Sequence, residues 1–194
     1  MLGLGGSIVS SSKPPTLEVI NTYTSDFSSG IDSWAAYSVQ GTLTLAGNQD
    51  GVDSEDNWLK GTFDTNQTDG LSGIKRPDTF DDVQLGDQFS ISLKIRIISG
   101  SDHWDGSDDV LTYLYPVGSD NVSPPNYLYH AFNAVQDATT TPDSGIINVS
   151  VFSVSDASGD LGDISIRWLL SGDKPKAGAV FYVKDIVVKQ YRYV

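Results

Sequence analysis

The chain has 194 residues, enough for one sizeable core, and we expect a single domain. Acidic residues outnumber basic ones by 25 to 12, and the net charge of −13 disfavours binding to nucleic-acid phosphates. The chain contains no cysteine, which excludes disulfides and thiolate metal sites, and no apolar run approaches the length of a membrane-spanning helix. We therefore expect neither nucleic-acid nor membrane partners.

The first 15 residues are rich in Gly and Ser and end in Pro14-Pro15, which predicts an extended N-terminal arm over residues 1–15. We expect this arm to take its shape by binding another subunit, and the alternative is that it folds back on its own domain. The apolar side chains of the arm predicted to contact the partner are Leu2, Leu4, Ile8 and Val9.

Residues 16–194 are predicted to form one β-sandwich domain. The clearest strand is Gln88 to Ile98, in which apolar residues alternate with Ser90, Ser92, Lys94 and Arg96, the pattern of a half-buried strand. Further strands are predicted near residues 17–20, 42–46, 57–63, 110–115, 127–132, 146–154 and 164–170. Residues 64–73 are predicted to be a loop. No segment has a sustained helical period, so we expect an all-β sandwich of roughly eight to ten strands.

The closing segment, residues 179–188, reads as one long strand that is apolar on both faces. Strict alternation places Asp185 on the same face as Phe181, Val183 and Val187. A carboxylate among such neighbours must be hydrogen-bonded, paired or bound to a metal. Residues 190–194 either finish the sheet or lie on a partner.

Aromatic residues divide into two predicted groups. Trp34, Trp58 and Trp168 are expected in the core. Trp104, Tyr113, Tyr115, Tyr127 and Tyr129 are the candidate glycan-binding residues, because exposed aromatic rings stack on sugars. The alternatives for the tyrosines are that they cover the sandwich core or form a protein interface. Lys94 and Arg96 are predicted to contact acidic groups of a neighbouring protein, or else to balance acids of this chain.

Catalysis finds little support in the sequence. The histidines are His103 and His130 alone, and no Gly-x-Ser-x-Gly elbow occurs. The two glutamates, Glu18 and Glu55, lie in no recognisable catalytic context. We expect the protein not to be an enzyme.

Three fragments together resemble the jelly-roll carbohydrate-binding modules attached to xylanases and cellulases. They are Asp26-Phe27…Gly30…Trp34, the strand that begins at Gly86-Asp87-Gln88-Phe89, and the closing strand from Ala179 to Lys189. The resemblance implies a jelly-roll β-sandwich of two antiparallel sheets. It also implies a structural calcium near the start of the domain, for which Asp26 and Asp185 are the candidate ligands, although Lys184 stands where the family has an Asp.

A second resemblance comes from Met1-Leu2-Gly3-Leu4-Gly5-Gly6-Ser7, which is similar to the starts of small virion proteins of tailed bacteriophages. It implies a non-enzymatic virion protein, either a capsid decoration or cement protein or a tail accessory protein, present in many copies. Its partners would be a capsid or tail protein, bound through the arm and one sandwich face, and possibly a host-surface glycan. The virion protein is the leading prediction from sequence, and a carbohydrate-binding module is the alternative.

Overall fold

A computed structural model describes residues 14–37, 39–50, 54–67, 72–77, 80, 82–84, 86–98, 110–117, 130–135, 147–154, 163–169 and 176–194. For residues 97–98, 110–117, 130–135 and 147–154, and for residues 163–169 except Ile164 and Ile166, the description is limited to the backbone. The arm residues Leu2, Leu4, Ile8 and Val9 and the aromatics Trp104, Tyr127 and Tyr129 therefore lie outside the described residues.

The described residues form eleven strands and no helix, so none of them crosses a membrane as a helix. The strands are β1 (Leu17–Ser25), β2 (Ala35–Tyr37), β3 (Leu43–Gln49), β4 (Trp58–Phe63), β5 (Gly73–Arg76), β6 (Gln88–Ile98), β7 (Val110–Val117), β8 (His130–Val135), β9 (Ile147–Val154), β10 (Asp163–Leu169) and β11 (Val180–Tyr193). The predicted all-β class is confirmed. The short strands β2 and β5 were not predicted, because three or four residues are too few to show a period.

The strands form two sheets in which every pairing is antiparallel. One sheet has the order β3-β4-β11-β6-β9, with β1 also paired to β11, and the other has the order β2-β5-β10-β7-β8. Side chains from the two facing sheets fill the space between them. The six-stranded sheet contributes Phe63 and Phe181, whose ring centroids are 6.1 Å apart. The five-stranded sheet contributes Ile74, Ile164 and Ile166. Burying each such side chain contributes about 1.5–3 kcal/mol.

Strand β6 confirms the alternation predicted for it. Phe89, Ile91, Leu93 and Ile95 are buried in the core, and the residues between them are partly exposed on the outer face. Trp34 is also buried in the core, as expected. Trp58 is fully buried, but on the opposite face of β4 from Leu59 and Phe63, where the Tyr182 ring packs edge-on at 6.4 Å. The side chain of Trp168 is outside the described residues.

Strand β11 corrects the predicted alternation at Asp185. The register to β6 shifts between Lys184 and Val187, and Asp185 has a φ of 52°, which marks a β-bulge. The extra residue moves Ile186 and Val188 onto the core face, where both are buried. The side chain of Asp185 is 44% exposed, so the prediction that Asp185 lies among apolar residues was wrong.

The C-terminal residues finish the sheet. Tyr193 lies opposite Leu17 of β1, and the backbone groups of Thr16 and Val194 exchange hydrogen bonds of 3.1 and 3.0 Å. The two alternatives predicted for residues 190–194 are thereby resolved in favour of sheet pairing within the chain.

A buried carboxylate fastens the segment before β6 to the end of β11. Asp87 is only 2% exposed. Its carboxylate accepts hydrogen bonds from Arg192 Nε at 2.8 Å, from Arg192 Nη2 at 2.7 Å and from Gln190 Nε2 at 2.7 Å. The backbone N–H of Gln84 donates a fourth hydrogen bond at 2.8 Å. Burial raises the pKa of Asp87, but the hydrogen bonds from Arg192, Gln84 and Gln190 outweigh it, and the net shift is downward.

Gly61 of β4 should not tolerate a side chain. A Cβ at this position would overlap the Phe181 ring in the closed core. We expect Gly61→Ala to lower the free energy of unfolding by about 1–3 kcal/mol, the usual cost of overpacking. Urea unfolding followed by Trp fluorescence measures the change, with Thr62→Ala on the outer face as the control. Equal unfolding midpoints for the two variants would contradict the packing described here.

Replacing Asp87 with Asn should remove the charge that holds Arg192. We expect Asp87→Asn to cost about 2–4 kcal/mol at pH 7, because a buried, paired carboxylate is lost. The control is Asp82→Asn, whose side chain is 75% exposed and holds Arg192 through one oxygen at 3.1 Å; we expect its cost to stay below about 1 kcal/mol.

The ion pair of Asp87 and Arg192 also predicts that stability depends on pH. The pKa of Asp87 is lower in the folded chain than in the unfolded one, so its contribution is complete above the ordinary Asp pKa of about 3.9 and is lost as the pH falls through the folded value. We expect the urea concentration at the unfolding midpoint to fall between pH 5 and pH 2.5, and to fall further for the wild type than for Asp87→Asn. Parallel pH profiles for the two proteins would count against this role of Asp87.

Candidate functional site

Two of the predicted aromatic residues, Tyr113 and Tyr115, belong to strand β7 of the five-stranded sheet. Leu114 of β7 lies opposite Ile166 of β10, whose side chain is completely buried in the core. Successive residues of a strand belong to opposite faces, so Tyr113 and Tyr115 hold positions on the face away from the core.

The residues that pair with Tyr113 and Tyr115 across neighbouring strands lie on the same face and form two adjacent rows. One row runs from Tyr37 through Gly73 and Arg167 to Tyr113. The other row runs from Ala35 through Lys75 and Ser165 to Tyr115. Aromatic, basic and small residues thus share one sheet face over four strands.

The described side chains of this face belong to β2 and β5. The Lys75 ammonium lies 5.2 Å from the centroid of the Tyr37 ring, a cation–π distance. Ala36, between the two outer positions of β2, packs against the core instead. Tyr37 and Lys75 were not singled out from the sequence, since β2 and β5 gave no recognisable strand pattern and their neighbours are distant in the chain.

Strands β7 and β8 are paired, as the predicted tyrosine platform requires. However, β8 begins at His130, three residues after the predicted start, and Tyr127 and Tyr129 precede it. With Trp104, they lie outside the described residues, so the five-residue glycan site stays a prediction.

A cluster of two lysines and two acids occupies the outer face of the other sheet. Lys94 Nζ donates to both Glu55 oxygens at 2.9 Å and lies 3.5 Å from Asp185 Oδ2, while Lys184 Nζ lies 3.4 Å from Glu55 Oε2. The hydrogen bond between Lys94 and Glu55 lowers the pKa of Glu55 and raises that of Lys94. Lys94 is therefore engaged with acids of its own chain, and Arg96 lies two residues further along the same face, partly buried.

The two predicted calcium ligands lie at the same end of the β1–β11 ladder, because Asp26 follows Ser25 and Asp185 precedes its partner Ile186. Asp26 Oδ1 accepts hydrogen bonds from Ser28 N at 2.9 Å and Ser28 Oγ at 2.8 Å, and these bonds lower its pKa. In the part of the chain that the structure describes, no three His, Asp or Glu side chains converge to hold an ion. Calcium takes six to eight oxygen ligands, which backbone and amide carbonyls also supply, so the calcium site at Asp26 and Asp185 stays a prediction.

No protein-family model and no curated protein matches the sequence. Among solved structures, the chain is similar to the K1 cleaved adhesin domain of Lys-gingipain from Porphyromonas gingivalis W83, with a TM-score of 0.52 and 12% identity over 87% of this chain and 98% of that one. It is also similar to the CBM22-2 xylan-binding domain of Paenibacillus barcinonensis Xyn10C, with a TM-score of 0.50 and 16% identity over 86% of this chain and 98% of that one.

An arabinose-bound GH51 α-L-arabinofuranosidase matches with a TM-score of 0.51 and 15% identity over 81% of this chain, but the chain spans only 23% of that enzyme's length. At these identities the likeness establishes the fold alone. The predicted jelly-roll β-sandwich of two antiparallel sheets is confirmed, and the fold is of the kind found in carbohydrate-binding modules.

Proposed function

We propose that this protein is a non-catalytic glycan-binding domain that uses the outer face of its five-stranded sheet. The observation that carries the proposal is the register of that sheet, which puts Tyr37, Tyr113 and Tyr115 in two neighbouring rows with the basic positions Lys75 and Arg167. Two proteins of similar fold, the xylan-binding and adhesin domains, support a binding role for the scaffold.

The chemistry of these residue types suits a polysaccharide chain. Aromatic rings contact the apolar faces of sugar rings, and cationic and hydroxyl groups fix the sugar hydroxyls. A row of such positions several strands wide matches an extended ligand better than a compact one. Because the chain carries a net charge of −13, we expect a neutral glycan such as xylan rather than an acidic one.

The state of two described carboxylates, Glu55 and Asp87, supports the non-catalytic part of the proposal. Hydrolysis of a glycosidic bond normally needs two carboxyl groups facing each other across a cleft. Glu55 is bound by Lys94 and Lys184, and Asp87 is bound by Arg192 and Gln190. These acids are used to hold the fold together.

Affinity electrophoresis in gels containing soluble xylan, mannan or β-glucan tests the proposal. We expect at least one neutral polysaccharide to retard the wild type, and Tyr113→Ala and Tyr115→Ala to weaken that binding about tenfold each, as expected for one lost ring contact. The matched control is Tyr191→Ala, on the outer face of the other sheet, which should bind as the wild type does. No retardation by any glycan, or equal loss in the control, would refute the proposal.

The virion role remains a separate proposal, because the resemblance that suggests it rests on residues 1–7 and these lie outside the described residues. A glycan-binding jelly roll on a phage particle would satisfy both ideas. If the arm attaches the protein to a capsid or tail protein, deleting residues 1–15 should abolish incorporation while leaving thermal stability unchanged. Mass spectrometry of purified particles measures incorporation, and undiminished incorporation of the shortened chain would remove the role of the arm.

A further inference from the structure

Strand β1 has one edge that no other described strand covers. Among the described strands it pairs with β11 alone, along its whole length from Leu17 to Ser25. The β3 edge of the same sheet differs, because the segment after β1 meets it and the N–H of Asn48 donates to the Phe27 carbonyl at 3.0 Å. The β1 edge therefore offers a row of backbone donors and acceptors to another chain.

The side chains of β1 are unusual for an exposed edge. Leu17, Val19 and Ile20 are 36%, 50% and 40% exposed. The strand has nine residues and contains no proline, lysine or arginine, which are the residues that commonly keep an edge from pairing. Its one charged residue is Glu18. A long apolar edge of this kind is a site for association with another strand.

The pairing with β11 determines which backbone groups of β1 point outward. Thr16 and Val194 exchange two hydrogen bonds, and hydrogen-bonded pairs alternate with non-hydrogen-bonded pairs along an antiparallel ladder. The β1 residues in the non-hydrogen-bonded pairs therefore direct their N–H and C=O groups away from β11. These outward residues are Leu17, Val19, Thr22 and Thr24.

The outward residues match those of a second copy of β1 related by a twofold axis. When the axis passes between Ile20 and Asn21, every outward residue of one copy lies opposite an outward residue of the other. Four such pairs form, and each exchanges two hydrogen bonds, which gives about eight. The bulge at Ile20 interrupts both copies at the same place, next to the axis, so the match is kept on both sides. The pairs are Leu17 with Thr24 and Val19 with Thr22, each occurring twice.

The charges on β1 permit this pairing in spite of the acidity of the chain. In the twofold register Glu18 lies opposite Tyr23 of the second copy, so no like charges face each other across the two strands. The net charge of −13 still makes two copies repel each other at a distance. Salt screens this repulsion, so association should strengthen as the ionic strength rises.

We propose that two copies of this chain associate by antiparallel pairing of their β1 edges, which joins two six-stranded sheets into one. The twofold axis between antiparallel strands is perpendicular to their sheet, so both five-stranded sheets lie on the same side of the joined sheet. On the proposed function, the dimer would present two glycan-binding faces in the same direction and bind one polysaccharide surface at two points. The pairing itself does not rest on that function.

Sedimentation velocity of the full chain, from about 1 μM to about 1 mM, tests the association. We expect the sedimentation coefficient to rise with protein concentration, and to rise at lower concentration when salt is added. Val19→Lys should weaken dimerisation at least about tenfold, because it places a solvated charge near the twofold axis. The control Thr44→Lys adds the same charge at an exposed position of β3 and should dimerise as the wild type does. Val19 is half exposed, so its variant should keep the wild-type melting temperature.

Engineered disulfides test the register, because the chain has no cysteine of its own. The double variant Val19→Cys with Thr22→Cys places thiols opposite each other across the axis, within the Cα separation of about 4.4–6.8 Å that a disulfide spans. We expect oxidation to convert it to covalent dimers on a non-reducing gel. Val19→Cys with Thr24→Cys is offset by two residues and should remain uncrosslinked.

Three results would each overturn the β1 dimer: a monomer at every concentration, unchanged dimerisation of Val19→Lys, or equal cross-linking of the two double variants. None of them bears on whether the five-stranded sheet binds glycan. Conversely, a dimer that no polysaccharide retards would contradict the proposed function and leave the pairing of β1 intact.

Discussion

Strand β11 is the element on which the sandwich depends. Its first residues pair with β4 and β6, and its later residues pair with β6 and β1. The strand changes neighbours at the bulge, since pairing with β4 ends at Val183 and pairing with β1 starts at Ile186. Asp185 takes the left-handed conformation that this change requires, which Asp tolerates better than most residues. The bulge therefore accounts for an internal Asp in a closing strand without a buried charge.

Three cations of this acidic chain form ion pairs within the fold. Lys94 and Lys184 hold Glu55 against the outer face of the six-stranded sheet, and Arg192 holds Asp87 at the end of β11. Part of the repulsion expected from 25 acids is relieved in this way. The partly exposed pairs contribute little to stability individually, whereas the nearly buried Asp87 depends on its partner.

These internal pairs also shape what the surface can bind. Glu55 and Asp87 are already bonded to lysines and an arginine of their own chain. The row from Tyr37 to Tyr113 instead combines aromatic positions with the basic position of Arg167. Neutral sugars are the ligands whose apolar ring faces and hydroxyl edges match such surfaces.

The sequence alone determined the class of fold. The alternation in Gln88–Ile98 identified β6 and its core face, because the side-chain period of two is a local property of a strand. Composition rich in Asp and Gly predicted turns instead of helices for the same local reason. The tertiary structure decided what no local pattern contains. A bulge of one residue turned Ile186 and Val188 inward and Asp185 outward. Strand pairing placed Tyr37 in one row with Tyr113. It also brought Arg192 against Asp87. Such contacts join residues far apart in the chain, and register and ion pairing form only when the two sheets assemble.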